Sequence, residues 1–428
     1  MKEDGVRSRL PAAVRAAGVW LRRFARTTPG LIGALIVVLT VLCVAAGLTA
    51  GRQFDAKIER GDRALAQTEP LAFAAQRLFV ALSTADASAA AAFLSGGIES
   101  TEVRGRYEQA LAEAAVSLAD ATAGAGDEQT RAVVARIAAD LPTYTGLVET
   151  ARANNRQGHP VGSAYLRQAS ELMQTSLLPR AQELEDARTD AVRADQDAIG
   201  AVPYTTVVLL VLVLAVCAGG SVLLTRRTNR RVNVGVAVAG CATVLALLWG
   251  LGATLAAGQL LDRGAGGAGA RADDLAQARI LAQRARTDEM LGLITRGDIT
   301  GSEDAYRTHT GDLRGRLTAA GIGHSEAERA LVSWESGHRT QLAAYESADY
   351  TRAVAQAIGG GPDGSERSFD RLDTALRTEL AQARTDLRDG VYAARTVLIP
   401  SPYALPLLLL GAAAVAVGGL WPRLKEFL

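Results

Sequence analysis

The side chains best suited to chemistry stand close together in one stretch. Asn154, Asn155 and Arg156 lead into Gln157-Gly158-His159-Pro160, and Tyr165 and Arg167 follow. A guanidinium is a planar fork of N–H donors that matches a carboxylate, and amides add neutral donors beside it. Asn154, Asn155, Arg156, Tyr165 and Arg167 are therefore the candidate ligand- or partner-binding set. The plainer reading of the same residues is a capped helical hairpin with its arginines on the wet face. A weaker basic pair, Arg367 and Arg371, stands beside the glycine-rich string 359–364.

Little else suggests chemistry. The four histidines, His159, His309, His324 and His338, pair neither with each other nor with cysteine at metal-ligand spacing. His338 falls on an apolar stripe and reads as a packed histidine. No phosphate-binding loop, Gly-x-Ser-x-Gly elbow or kinase signature occurs. The string from Arg263 to Gly269 is rich in glycine, but it follows an apolar run and not a strand, so it reads as a loosened helix end. No catalytic residue, metal or cofactor is expected, and the chain does not read as an enzyme. The net charge of +1 hides no single-sign patch of the kind that nucleic acid needs.

These residues must be positioned by a membrane architecture. Four apolar runs, 30–50, 202–224, 232–257 and 398–421, are each near the ~20 residues that a helix needs to cross a bilayer. They contain no Asp, Glu, Lys, Arg or His, which argues against ion-coupled transport. Cys43, Cys217 and Cys241 all fall inside them, so the polar segments have no disulfide to hold them. Pro203, Pro400, Pro402 and Pro406 stand near the span entrances, as helix starts or kinks. Lys and Arg crowd the tail 1–29, the turn 225–231 and the stub 422–428, so these flanks are expected in the cytoplasm. The segments 51–201 and 258–397 are then extracytoplasmic. The first run is expected to be retained, being too long for a signal-peptide core. The apolar residues of the tail (Leu10, Val14, Val19, Trp20 and Phe24 among arginines) suit the surface of anionic lipid.

Both outer segments read as helix. Val103, Tyr107, Leu111, Ala114 and Leu118 step by three and four, as do Val133, Ile137, Leu141, Tyr144 and Val148. Leu71, Ala75, Leu78 and Leu82 form a further stripe, and Leu166, Ala169, Met173 and Leu177 another. In the second segment Phe369, Leu372, Leu376, Leu380, Ala383, Leu387 and Val391 make the clearest stripe, beside Leu331, Trp334, His338, Leu342 and Tyr345. Ser325 with Glu328 fits a capping box. The expected fold is an all-α membrane protein: four transmembrane helices and two extracytoplasmic four-helix bundles, with outer helices running on into the spans.

The strings FLSGGIES (93–100), YTGLVETARANNRQGHPVGSAYLRQAS (144–170) and LWPRLKEF (420–427) resemble an actinobacterial family of four-span membrane proteins. That resemblance implies a signal relay. Its outer partner would be a glutamate/aspartate-binding lipoprotein and its inner partner the serine/threonine protein kinase G. Each half is also similar to the four-helix sensor domains of chemoreceptors, which implies a homodimer as an open alternative, although no HAMP or kinase module follows either half. The competing expectation is a non-enzymatic envelope scaffold.

Overall fold

The structure is a computed structural model describing residues 28–95, 101–228, 233–261, 267–295, 297–359 and 364–425. The amphipathic stretch of the tail, Gly96, Gly97, residues 229–231 of the basic turn, residues 263–266 of the glycine-rich string, residues 360–363 and the last three residues lie outside the described residues. Among the described residues every regular element is helical. Outer segments rich in Ala, Leu and Arg and poor in aromatics have that intrinsic preference.

Helices α1 (Thr28–Arg63), α7 (Tyr204–Thr228), α8 (Val234–Leu261) and α14 (Ser401–Lys425) carry the four apolar runs, which are long and apolar enough to cross a membrane. Val37, Val41, Leu48, Val208, Leu248 and Leu407 are exposed on them. Such apolar outer faces suit lipid as solvent, so the chain is an all-α membrane protein. Inside this unit Ile32, Leu39 and Cys43 of α1 meet Val213 and Cys217 of α7, Val236 of α8, and Ala412 and Ala416 of α14. At Gly235 and Gly419 the backbones of α8 and α14 come so close that a Cβ on Gly235 would lie 2.6 Å from the Cα of Gly419. Small residues permit this kind of approach between membrane helices. Asn233 adds an Nδ2–H bond to the Gly419 carbonyl at 3.1 Å.

The other compact unit is made of residues 60–198 and 259–393 together. Its first half holds α2 (Glu69–Leu94), α3 (Thr101–Gly124), α4 (Glu128–Arg156), α5 (Val161–Leu172) and α6 (Leu178–Gly200). The second holds α9 (Gly267–Thr295), α10 (Thr300–Ala319), α11 (Glu326–Glu346), the short α12 (Tyr350–Ile358) and α13 (Ser365–Leu398). α2 packs on α3, α4 on α5, α9 on α10 and α11 on α12, while α2 and α9 join the halves. The core of the first half takes in Ile280, Met290, Leu293, Ala353 and Ala357 from the second. The expected stripe from Phe369 to Val391 is buried along its whole length.

Three local features depart from the expectations. Two π turns, Ala64–Thr68 between α1 and α2 and Met173–Leu177 between α5 and α6, widen helices that read as regular. Each ends two residues before a proline, Pro70 or Pro179. A proline inside a helix lacks an N–H and clashes with the carbonyl four residues earlier, here that of Ala66 or Thr175, and a widened turn relieves the clash. Secondly, not every outer helix runs on into a span. α1 passes through its π turn into α2, but α6 stops at Gly200 before Pro203, and α13 stops at Leu398 before Pro400. Proline disfavours the helical conformation in the residue before it. The freed end of α6 is satisfied by Lys57, whose Nζ donates to the Ile199 carbonyl at 3.0 Å. Thirdly, Ser325 begins α11 but makes no capping bond, and its Oγ is buried without a partner. Glu328 turns instead to Arg314, which donates from Nε at 3.2 Å.

The end of α11 supports a stability prediction. Ala348 has φ +62° and closes a Schellman cap, with Asp349 N–H on the Ala344 carbonyl at 2.9 Å and Ala348 N–H on that of Tyr345 at 3.0 Å. The same cap carries glycine at Gly158 and Gly321, with φ +72° and +75°. A left-handed alanine costs roughly 1–2 kcal/mol. Ala348→Gly should raise the thermal midpoint of the purified full-length chain, and an unchanged or lower midpoint would refute this account.

Candidate functional site

The five residues singled out in the sequence lie on the hairpin between α4 and α5. Their string of amides, glycine and proline forms the Gly158 cap: His159 N–H donates to the Asn154 carbonyl at 2.9 Å and Gly158 N–H to that of Asn155 at 3.0 Å. Asn154 spends its side-chain donor on the Thr150 carbonyl at 2.9 Å, and Asn155 reaches the Phe93 carbonyl at 3.2 Å. Tyr165 is half-buried against the core, and Arg156 and Arg167 are exposed. Local backbone capping thus uses part of the amide chemistry on which the candidate set was based.

Several carboxylates, Asp86 and Glu289 among them, are buried, and none was foreseen. Asp86 of α2 is 3% exposed. It accepts from Ser170 Oγ at 2.9 Å, Gln174 Nε2 at 3.3 Å and the Tyr144 hydroxyl at 3.3 Å. Burial pushes its pKa up to about 6, and those neutral donors restrain the rise. In the second half, Glu289 of α9 is 2% exposed and accepts from Arg286 at 2.5 Å and Trp334 Nε1 at 3.0 Å. Burial opposes its charge, but Arg286, His338 and Trp334 together bring its pKa down to about 2. The sequence signal was available: Asp86 is the only acid in the alanine-rich run 78–94.

His338 lies between two carboxylates. Its Nδ1 is 3.3 Å from Glu289 and its Nε2 is 2.8 Å from Glu303. Each ring nitrogen faces an acceptor, so both must donate, which is the imidazolium form. Burial alone would lower the pKa, but the two carboxylates outweigh it and raise it to about 9. Tyr306 stacks on the ring at a centroid distance of 3.8 Å. The packed reading of His338 is therefore right in place, while the ring is charged where its apolar stripe suggests neutrality. Beside it is a cavity of about 20 Å³ bordered by Glu303, Ser302 and Gln341. The Oε1 of Gln341 is buried there without a protein partner, and the space suits about one water.

A large concavity runs between the two halves of this unit. The cleft has a volume of about 830 Å³. Ala81, Ala87, Ala91 and Ala110 border it, and these short side chains leave the space open. Six guanidiniums and four carboxylates share its lining. Arg77 and Arg106 come from the first half, and Arg279, Arg286, Arg377 and Arg384 from the second. Arg77 pairs with Glu113 at 2.6 Å and Arg279 with Asp373 at 2.7 Å. Arg106 crosses to Glu366, and Arg384 crosses to Glu69 while lying 3.5 Å over the Phe73 ring. Sequence reading could not assemble this set, because its members come from four helices spread over 308 residues, from Arg77 to Arg384. The Arg367–Arg371 pair, noted as weak, borders a separate surface hollow with Glu326 and Asp370.

The charged histidine makes stability depend on pH. Its folded pKa of about 9 lies above the ordinary 6.5. Its contribution is complete below pH 6.5 and is lost as pH rises through 9. Thermal midpoints of the full-length chain should therefore fall between pH 6.5 and 9, and His338→Gln should flatten that fall. An equal slope in the variant would show that another group is responsible.

Residues 60–197 match the family model described as an actinobacterial sensor domain. No curated protein and no solved structure matches the chain. The matched region covers α2 to α6 with the π turns and the Asp86 centre. The chain thus combines four membrane-length helices with a region similar to an actinobacterial sensor domain, which supports a sensing role at the membrane.

Proposed function

We propose that this protein relays extracytoplasmic amino-acid occupancy to a cytoplasmic serine/threonine protein kinase, with glutamate or aspartate arriving on a binding lipoprotein. The observation that carries the reading is one helical run from Gly30 to Leu94, joining a membrane-length helix to the sensor-like region without a break. Helix shifts of ~1–2 Å are typical of signalling interfaces, and a continuous helix can pass one on. The basic flanks support the orientation, with both termini and the turn between α7 and α8 inside and the helical unit outside. The chain itself would be non-catalytic, so the output would be read by the kinase at those flanks, beside lipid headgroups.

The relay reading predicts three results. An outer-facing tag should recover the lipoprotein from membranes. Deletion of the gene should abolish the response of kinase-dependent phosphorylation to external glutamate and aspartate. Protease added to intact cells should cut within 51–201 and 258–397 and spare the amino terminus. Unaltered phosphorylation after deletion would refute the relay. Septal or polar localisation combined with that result would favour an envelope scaffold.

A further inference from the structure

The cleft between the two halves has the chemistry of a ligand site. Its volume of about 830 Å³ is in the range of small-molecule pockets. Phe73, Val80, Phe369 and Leu380 offer apolar walls for a carbon body. Its guanidiniums stand on both sides, and the acids bound to them do not exhaust their donors. Each guanidinium carries five N–H groups, and these pairs engage one or two. Arg106 meets Glu366 from one terminal nitrogen, while its Nε is buried without a partner. Arg377 keeps 63% of its side chain exposed beside Asp373. A carboxylate ligand would find partly satisfied guanidiniums from either half, in the planar geometry suited to two-point bonding.

We propose that this cleft binds a small organic dicarboxylate, one carboxylate held by the first half through Arg77 and Arg106, the other by the second through Arg279 and Arg377. The assignment rests on the sensing role and names the ligand class of that role. It also places recognition away from the α4–α5 hairpin. Because Arg106–Glu366 already crosses the cleft, an incoming carboxylate exchanges one bond between the halves for another. Occupancy thereby acts on how α3 and α13 are held together, and no covalent step is involved.

The test is calorimetric titration of the full-length protein in lipid nanodiscs with four- to six-carbon dicarboxylates, with and without an α-amino group. Inorganic phosphate and L-lysine are the comparison ligands. A dicarboxylate should saturate the protein and bind at least about tenfold more tightly than phosphate. Arg106→Gln and Arg377→Gln should each weaken it about tenfold or more at an unchanged melting profile, while the exposed Arg136→Gln and Arg339→Gln bind as the parent does. Absence of saturable binding by any dicarboxylate, equal binding of phosphate, or undiminished binding by both cleft variants would overturn the proposal. Binding without a kinase response would leave the cleft standing and refute the relay. A kinase response that survives in the doubly substituted, non-binding variant would leave the relay standing and refute the cleft.

Discussion

The close packing of α2 on α9 is the constraint from which the rest of the helical unit follows. Packed helices lie about 8–10 Å apart, and the side chains at the contact set the distance. α2 supplies Ala74, Ala75, Ala81, Ala85 and Ala89, all buried. α9 supplies Ile280, Met290 and Leu293 to the same core. The shortness of the α2 alanines has two consequences. It brings the Thr84 hydroxyl to Gln283 at 3.4 Å, joining the halves, and it leaves the bordering cleft unfilled. A leucine stripe on α2 would have filled the space and separated the helices.

A carboxylate buried on the first helix of each half is the second organising element. In both, an aromatic side chain from the third long helix donates to it, Tyr144 to Asp86 and Trp334 to Glu289. The surroundings then decide the charge. Asp86 has only neutral donors and is pushed toward protonation, whereas Glu289 has Arg286 and His338 and stays ionised. Removing one partner from a buried ion pair costs roughly 3–5 kcal/mol, so Glu289 commits α9 and α11 to a single register. Asp86 imposes a weaker commitment. This internal repeat is visible in the contacts and nearly invisible in the sequence, because the two halves use different side chains for the same task.

Much of the fold was legible because burial and period coincide. The stripe from Phe369 to Val391 and the four apolar runs required no knowledge of neighbours. The turn at Gly158 was legible for the same reason, since a left-handed cap selects glycine locally. What escaped depended on pairs distant in sequence or on two local rules in competition. Pro70 and Pro179 each interrupt a good helical pattern, and the backbone answered with a π turn, which has no period of its own. Ser325 and Glu328 matched a capping pattern, but Arg314 offered Glu328 a charged partner and the cap was not made. The cleft arginines carry no local signal in the sequence and form a set only where α2, α3, α9 and α13 come together.

Energetic scale separates a sensing cleft from a merely structural one. Arg–carboxylate pairs exposed to solvent contribute little, about 0–1 kcal/mol each, because water competes for both partners. The cleft pairs of Arg77, Arg106 and Arg377 are at least partly open to solvent. Replacing such a pair by a ligand contact changes the total only modestly. Coupling between sites requires no more, since differences of 1–3 kcal/mol alter affinities five- to 150-fold. The buried centres around Asp86 and Glu289 are too costly to rearrange at that scale. They hold each half rigid, so the small free-energy differences available to a ligand act at the junction of the halves, where the bonds are cheap to exchange.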